Sequence, residues 1–163
     1  MSLSCKTGAY NKVLKKLLNL NIPRKNIFVL FGPVDLLIRF DKLKNLNAFI
    51  EEQFDLVRMV GAEERLITKT LTFIVISEGP SFTENPFAFI FLNVQPQNLE
   101  NVRVTLLNIP EILSADTVFG PYDIICPVKA KDRKNLEQVI SNIQTHIQGI
   151  EGSMTAIVAT RNL

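Results

Sequence analysis

Phe31-Gly32-Pro33-Val34-Asp35-Leu36-Leu37-Ile38 and Phe119-Gly120-Pro121-Tyr122-Asp123-Ile124-Ile125-Cys126 are two versions of one segment, 88 positions apart in a chain of 163 residues. In each, a Gly-Pro turn separates two apolar runs and leaves room only for an antiparallel hairpin. The likeness extends on both sides of the turn, as an internal repeat requires. Upstream, KVLKKLLNLNIPRKNIFVLFGP (12–33) aligns with NVRVTLLNIPEILSADTVFGP (101–121); downstream, KNLNAFIEE (44–52) aligns with KNLEQVISN (134–142). A fourth block, Thr70-Leu71-Thr72-Phe73-Ile74-Val75, matches Ser153-Met154-Thr155-Ala156-Ile157-Val158. Four blocks in the same order predict two domains, over 1–78 and 86–163, joined by the turn-rich Ser77–Pro86 stretch.

Within each repeat the hydrophobic period changes in a fixed order. The run at 87–94, FAFIFLNV, is a strand by composition, with a short counterpart near Ser2–Cys5. Tyr10, Val13, Leu14, Leu17 and Leu18 form one helical stripe, and Leu99, Val102, Leu106 and Leu107 form its equivalent; Pro23 and Pro110 stop the two helices. Hairpins of 26–31 with 34–40, and of 112–119 with 122–128, follow. Second helices are expected to begin at the caps Asp41 and Asp132, carrying Leu46, Phe49, Ile50, Phe54 and Val57, or Leu136, Val139, Ile140, Ile143 and Ile147. Last strands at 67–76 and 153–160 close the plan. The prediction is an α+β chain of two tandem ferredoxin-like βαββαβ domains. Central strands apolar at nearly every position need cover on both faces, which implies sheet pairing of the dimeric α+β barrel kind and a homo-oligomer or an internal pair.

Composition narrows function by exclusion. A net charge of +2 is too small to argue for nucleic acid, and no apolar run is long enough to span a membrane. The N-terminus has no signal-peptide core, so the expected location is cytoplasmic. Residues 1–81 carry 12 basic and 8 acidic side chains, residues 82–163 carry 6 and 8, and the opposite signs favour association of the halves or their copies. Cys5 and Cys126 lack the spacing of a zinc or redox pair and read as reduced, buried thiols. His146 reads as an ordinary helix residue, and Glu51-Glu52 and Glu63-Glu64 read as solvated surface. The cluster Lys12, Lys15, Lys16, Arg24 and Lys25 reads as a solvated helix face. Catalytic motifs are absent, so no enzyme activity, metal or cofactor is expected.

The Gly-Pro-x-Asp turns are the candidate sites. Gly32 and Gly120 are read as turn formers, whereas Asp35 and Asp123 open wholly apolar strands and so sit at the rim of a buried layer. A rim carboxylate beside turn amides suits a zwitterion, with Thr70, Thr72, Ser153 and Thr155 adding hydroxyls from the last strand. The hairpin Gly120-Pro121-Tyr122-Asp123, with Gly149-Ile150 and Ser153-x-Thr155-x-Ile157-Val158, resembles the effector-binding (RAM) domain of the Lrp/AsnC family over 86–160. Over 1–78 the resemblance is weaker, because Val34 stands where the tyrosine would be.

The resemblance implies an amino-acid-like effector held near the hairpin at contacts between dimers, at Gly120, Tyr122, Asp123, Ser153 and Thr155 and in degenerate form at Gly32 and Asp35. It also implies a non-enzymatic role in transcription through a partner, such as a DNA-binding relative, because no helix-turn-helix precedes the first repeat and direct duplex binding is not expected. The alternatives are a structural oligomerisation protein with a vestigial pocket, an ACT-like sensor, and a small enzyme of the dimeric α+β barrel type.

Overall fold

The computed structural model describes residues 1–40, 45–62 and 64–159. The expected cap Asp41, Lys44 of the third aligned block, Glu63 and the side chain of Leu46 lie outside the described residues. The chain is α+β, every named strand pair is antiparallel, and it divides into two compact units after Thr72. Both the expected end of the first domain at 78 and the expected start of the second at 86 fall within the second unit on this division.

The first unit runs β1 (Ser2–Cys5), α1 (Tyr10–Asn19), β2 (Ile27–Phe31), β3 (Leu36–Ile38), α2 (Leu46–Phe49), a π-helical turn (Ile50–Phe54), α3 (Asp55–Ala62) and β4 (Ile67–Leu71). Its strands lie in the order β4-β1-β3-β2, with Leu3 opposite both Leu36 and Thr70. The α1 stripe buries Val13, Leu14 and Leu17, and the second helical segment contributes Phe49, Val57 and Val60. Asn45 caps α2, its Oδ1 accepting the Ala48 N–H at 2.9 Å.

The second unit runs β5 (Ile74–Ser77), β6 (Ala88–Val94), α4 (Leu99–Leu107), β7 (Asp116–Phe119), β8 (Ile124–Val128), α5 (Arg133–His146) and β9 (Ile150–Val158), in the strand order β9-β6-β8-β7-β5. Asp132 caps α5 as expected, accepting the Asn135 N–H at 2.8 Å. One core cluster joins Ala88, Ile90, Leu92 and Val94 of β6 and Ile124, Cys126 and Val128 of β8 to Val102, Leu106, Leu136, Val139 and Ile143 of the helices. Successive strand residues point to opposite faces. Leu36, Leu37 and Ile38 are all buried, as are Ile90, Phe91 and Leu92, so in both units neither face of the central strands is open to water.

One expected element is corrected. The apolar run 67–76 is not a single strand: Ile67–Leu71 pairs with β1, whereas Ile74–Ser77 pairs with β7 in the second unit. The physical reason is partner choice. Both pieces are equally strand-like, but the backbone leaves the first sheet at Thr72 and adds to the free edge of β7, so part of the expected linker is a fifth strand.

Candidate functional site

The site is built around the turn between β7 and β8. Val118 N–H donates to the Asp123 carbonyl at 2.9 Å, and Asp123 N–H donates to the Leu92 carbonyl at 2.9 Å, which fixes the turn against the end of β6. The β6–β9 register shifts between Asn93 and Val94, so Glu151 is an extra residue on β9, a bulge. At that bulge the Asp123 carboxylate accepts the Val94 N–H at 2.8 Å, and the Asn93 side-chain amide donates to the Pro121 carbonyl at 3.0 Å.

The first unit repeats these contacts one for one. Leu30 N–H donates to the Asp35 carbonyl at 2.8 Å, and Asp35 N–H to the Leu3 carbonyl at 3.0 Å. The β1–β4 register shifts between Ser4 and Cys5, leaving Thr68 as the extra residue. There the Asp35 carboxylate accepts the Cys5 N–H at 2.7 Å, and Ser4 Oγ donates to the Pro33 carbonyl at 3.4 Å. The Gly-Pro-x-Asp signature therefore has a local structural cause. A bulge takes a strand-end amide out of the ladder, and a carboxylate fixed by the turn satisfies it.

Tyr122 and Val34 are where the two turns part. The Tyr122 ring lies 5.5 Å from Phe91 and 6.4 Å from Phe73, between centroids, and its hydroxyl donates to Met154 Sδ at 3.4 Å. Phe73 and Phe91 are themselves 5.9 Å apart. Phe91 is fully buried while Tyr122 and Phe73 are half-buried, an aromatic wall with a weak sulfur acceptor at its rim.

The hydroxyls expected from β9 do not join this wall. Ser153 pairs with Leu92 and Thr155 with Ile90, both core residues, so both side chains lie on the helix-packed face. Ser153 Oγ accepts the Gln144 side-chain amide of α5 at 3.0 Å. Met154 and Ala156, opposite Phe91 and Phe89, occupy the face with Tyr122. Thr70, opposite Leu3, has the position in the first unit that Ser153 has in the second. Gly32 and Gly120 flank their turns as expected, and Gly8, at φ of 76°, and Gly32, at φ of 154°, have positive φ, but the most tightly confined positive-φ glycine beside the second unit's β9 is Gly149. It has φ of 93°, and a Cβ there would lie 2.6 Å from Asn98 Cβ.

Of the two thiols expected to be buried, Cys126 is buried and Cys5 only half-buried. Both are free, and burial first and Asp35 second push Cys5 up to about 11, while burial and then Asp116 push Cys126 up. His146 ends α5 exposed, a ring nitrogen 3.2 Å from the Asn142 carbonyl. Lys12 and Lys16 both pair with Glu64, whose carboxyl these two bonds hold below the usual range. No group of His, Cys, Asp and Glu among the described residues is arranged to hold a metal. No helix among them is long and apolar enough to cross a membrane.

Sequence reasoning missed Phe73, Gly79, Arg103 and Met154. Only Met154 had a signal, since its parity along β9 with Ala156 sets it apart from Ser153 and Thr155.

Residues 87–161 match the model of the Lrp/AsnC ligand binding domain. They therefore belong to the Lrp/AsnC ligand-binding domain family, as the hairpin signature implied. The chain is 28% identical over 101 residues to the HTH-type transcriptional regulator FL11 of Pyrococcus furiosus, covering 62% of this chain and 65% of that one. It is 31% identical over 83 residues to an uncharacterized HTH-type transcriptional regulator, PH0140, of Pyrococcus horikoshii, covering 47% of this chain and 52% of that one. The matches thus span less than two thirds of the regulators' own lengths. The crystal structure of TTHA0845 from Thermus thermophilus is similar at a TM-score of 0.43 and 24% identity, over 47% of this chain and 94% of that one.

Proposed function

We propose that the chain is a cytoplasmic metabolite-sensing and oligomerising module of Lrp/AsnC type, built from two tandem βαββαβ units and acting on transcription through a partner. The observation that carries this reading is the fit of residues 87–161 to a ligand-binding domain. Repetition of the turn, bulge and carboxylate contacts in both units supports the tandem arrangement. The effector, an amino acid or related metabolite, would sit beside Gly120, Tyr122 and the rim of Asp123, where an aromatic wall meets a carboxylate with one oxygen committed to Val94. Ser153 and Thr155 then serve the helix-packed face, and Gly32, Val34 and Asp35 keep the turn without the aromatic wall.

The test is a thermal-shift screen of amino acids and small metabolites, followed by calorimetric titration of any hit against Tyr122→Phe. An effector at 100 times its Kd adds about 2.7 kcal/mol, a shift of several degrees. Loss of the hydroxyl should weaken binding about fivefold, in line with a net hydrogen-bond value of about 1 kcal/mol. A hit whose affinity is unchanged in Tyr122→Phe and Tyr122→Ala would move the effector away from this hairpin.

A second reading has its own supporting observation. Asp35 and Asp123 hold equivalent backbone amides, so the signature aspartate is accounted for by the fold alone. That favours an oligomerisation module without an effector, and a screen with no hit would select it.

A further inference from the structure

We propose that residues 73–79 form a strap through which the Gly120–Asp123 turn is mechanically coupled to the chain leaving the first unit. The inference extends the sensing reading by naming how an event at the turn is passed on.

Strand β7 is held from both edges. One edge closes the turn, through the Val118–Asp123 hydrogen bond and the pairing of Thr117 with Ile124. The other carries β5, with Ile74 opposite Phe119 and Val75 opposite Val118. At its far end the strap is latched. Gly79 N–H donates to Asp116 Oδ1 at 2.8 Å, and the same oxygen accepts Ser114 Oγ at 2.8 Å. The Arg103 guanidinium, in α4, donates to the Glu78 carbonyl at 3.1 Å and to the Ala115 carbonyl at 3.2 Å, bridging strap and β7 approach. Gly79 has no room for a side chain, since a Cβ would lie 2.7 Å from the Ala115 nitrogen. At its near end Phe73 packs on Tyr122 and Phe91.

The strap thus touches the turn by side chain at one end and grips its leading strand along the rest. Close packing and a shared strand mean that the turn cannot shift without repacking residues 73–79, which follow Thr72, the end of the first unit. The strap lies before residue 87, where the ligand-binding-domain match begins, so that assignment does not account for it.

Residue-resolved amide exchange on the full chain, with no ligand, tests the coupling apart from sensing. Gly79→Ala should displace the strap and raise exchange at Val118 and Asp123 at least tenfold, leaving Ile90 in β6 within about twofold. Reciprocally, Asp123→Asn should raise exchange across Ile74–Ser77, because a coupling free energy acts equally in both directions. If Gly79→Ala unfolds the unit, Arg103→Lys, which keeps the charge and loses the two-carbonyl fork, takes its place. Faster exchange confined to the strap, or a rise at Ile90 equal to that at the turn in every variant, would overturn the proposal. A ligand screen without hits would leave this result unaffected.

Discussion

Replacing Asp123 by alanine removes the acceptor that satisfies Val94 N–H and leaves that amide part-buried at a bulge. Hydrogen bonds to charged groups contribute roughly 1.5–3 kcal/mol, and an orphaned buried donor adds to the loss, so a cost of about 2–3 kcal/mol is expected. Asparagine keeps an oxygen in the same place and loses only the charge, so Asp123→Asn should cost about 1 kcal/mol. Asp35 makes the equivalent bond to Cys5 N–H, at 2.7 Å, and Asp35→Ala should therefore destabilise by a similar amount. Urea denaturation followed by far-ultraviolet circular dichroism is the assay. With a slope of about 1–1.5 kcal/mol per molar for a domain of this size, the midpoint should fall by roughly 1.5–3 M in either alanine variant. Wild-type stability in both alanine variants, measured without ligand, would refute the assignment of these carboxylates to the bulge. A loss in Asp123→Ala alone would break the equivalence of the two turns.

Further outcomes follow from the two cysteines and from Gly149. With the Cys5 thiol near 11 and Cys126 higher still, alkylation at pH 8 should be very slow in the native chain and prompt in denaturant. The Cys5 rate should climb about tenfold per pH unit up to that pKa, and a plateau below pH 9 would contradict it. A thiol whose folded pKa is raised stays protonated while the unfolded thiol ionises, so its contribution to stability is complete below about 9 and declines as pH rises towards about 11. Gly149→Ala must place a Cβ against Asn98 at a left-handed φ, and should cost roughly 1–3 kcal/mol. A differential scanning thermogram within a degree of wild type would sink that expectation.

The architecture was legible because it rests on local periodicity. The stripes through Val13, Leu14 and Leu17 and through Leu136, Val139 and Ile143 are the buried faces, and the repeated Gly-Pro turns mark both hairpins. The split at Thr72 was hidden, since Leu71 to Val75 is continuously strand-like and only the available sheet edge decides where each half pairs. The aspartates were located correctly at the rim, but their commitment to Cys5 and Val94 amides depends on bulges that leave no mark in composition. Strand parity does separate Ser153 and Thr155 from Met154, once the core face of β9 is known. Arg103 and Gly79 gave no local signal, because one latches a carbonyl of the strap and the other is the strap's point of closest approach.

The register shift in β5 bears on a different hazard. Ile74, Val75 and Ile76 are 41%, 46% and 66% exposed, on a strand that forms the outer edge of its sheet. A flat edge of that composition would recruit neighbouring strands without limit. Between Val75 and Ser77 the pairing with β7 advances by only one residue, which leaves Ile76 as an extra residue in a strand of four. The edge is bent where it is most apolar and is too short to template an extended ladder. The chain carries an oily margin there on a backbone poorly shaped to extend the sheet.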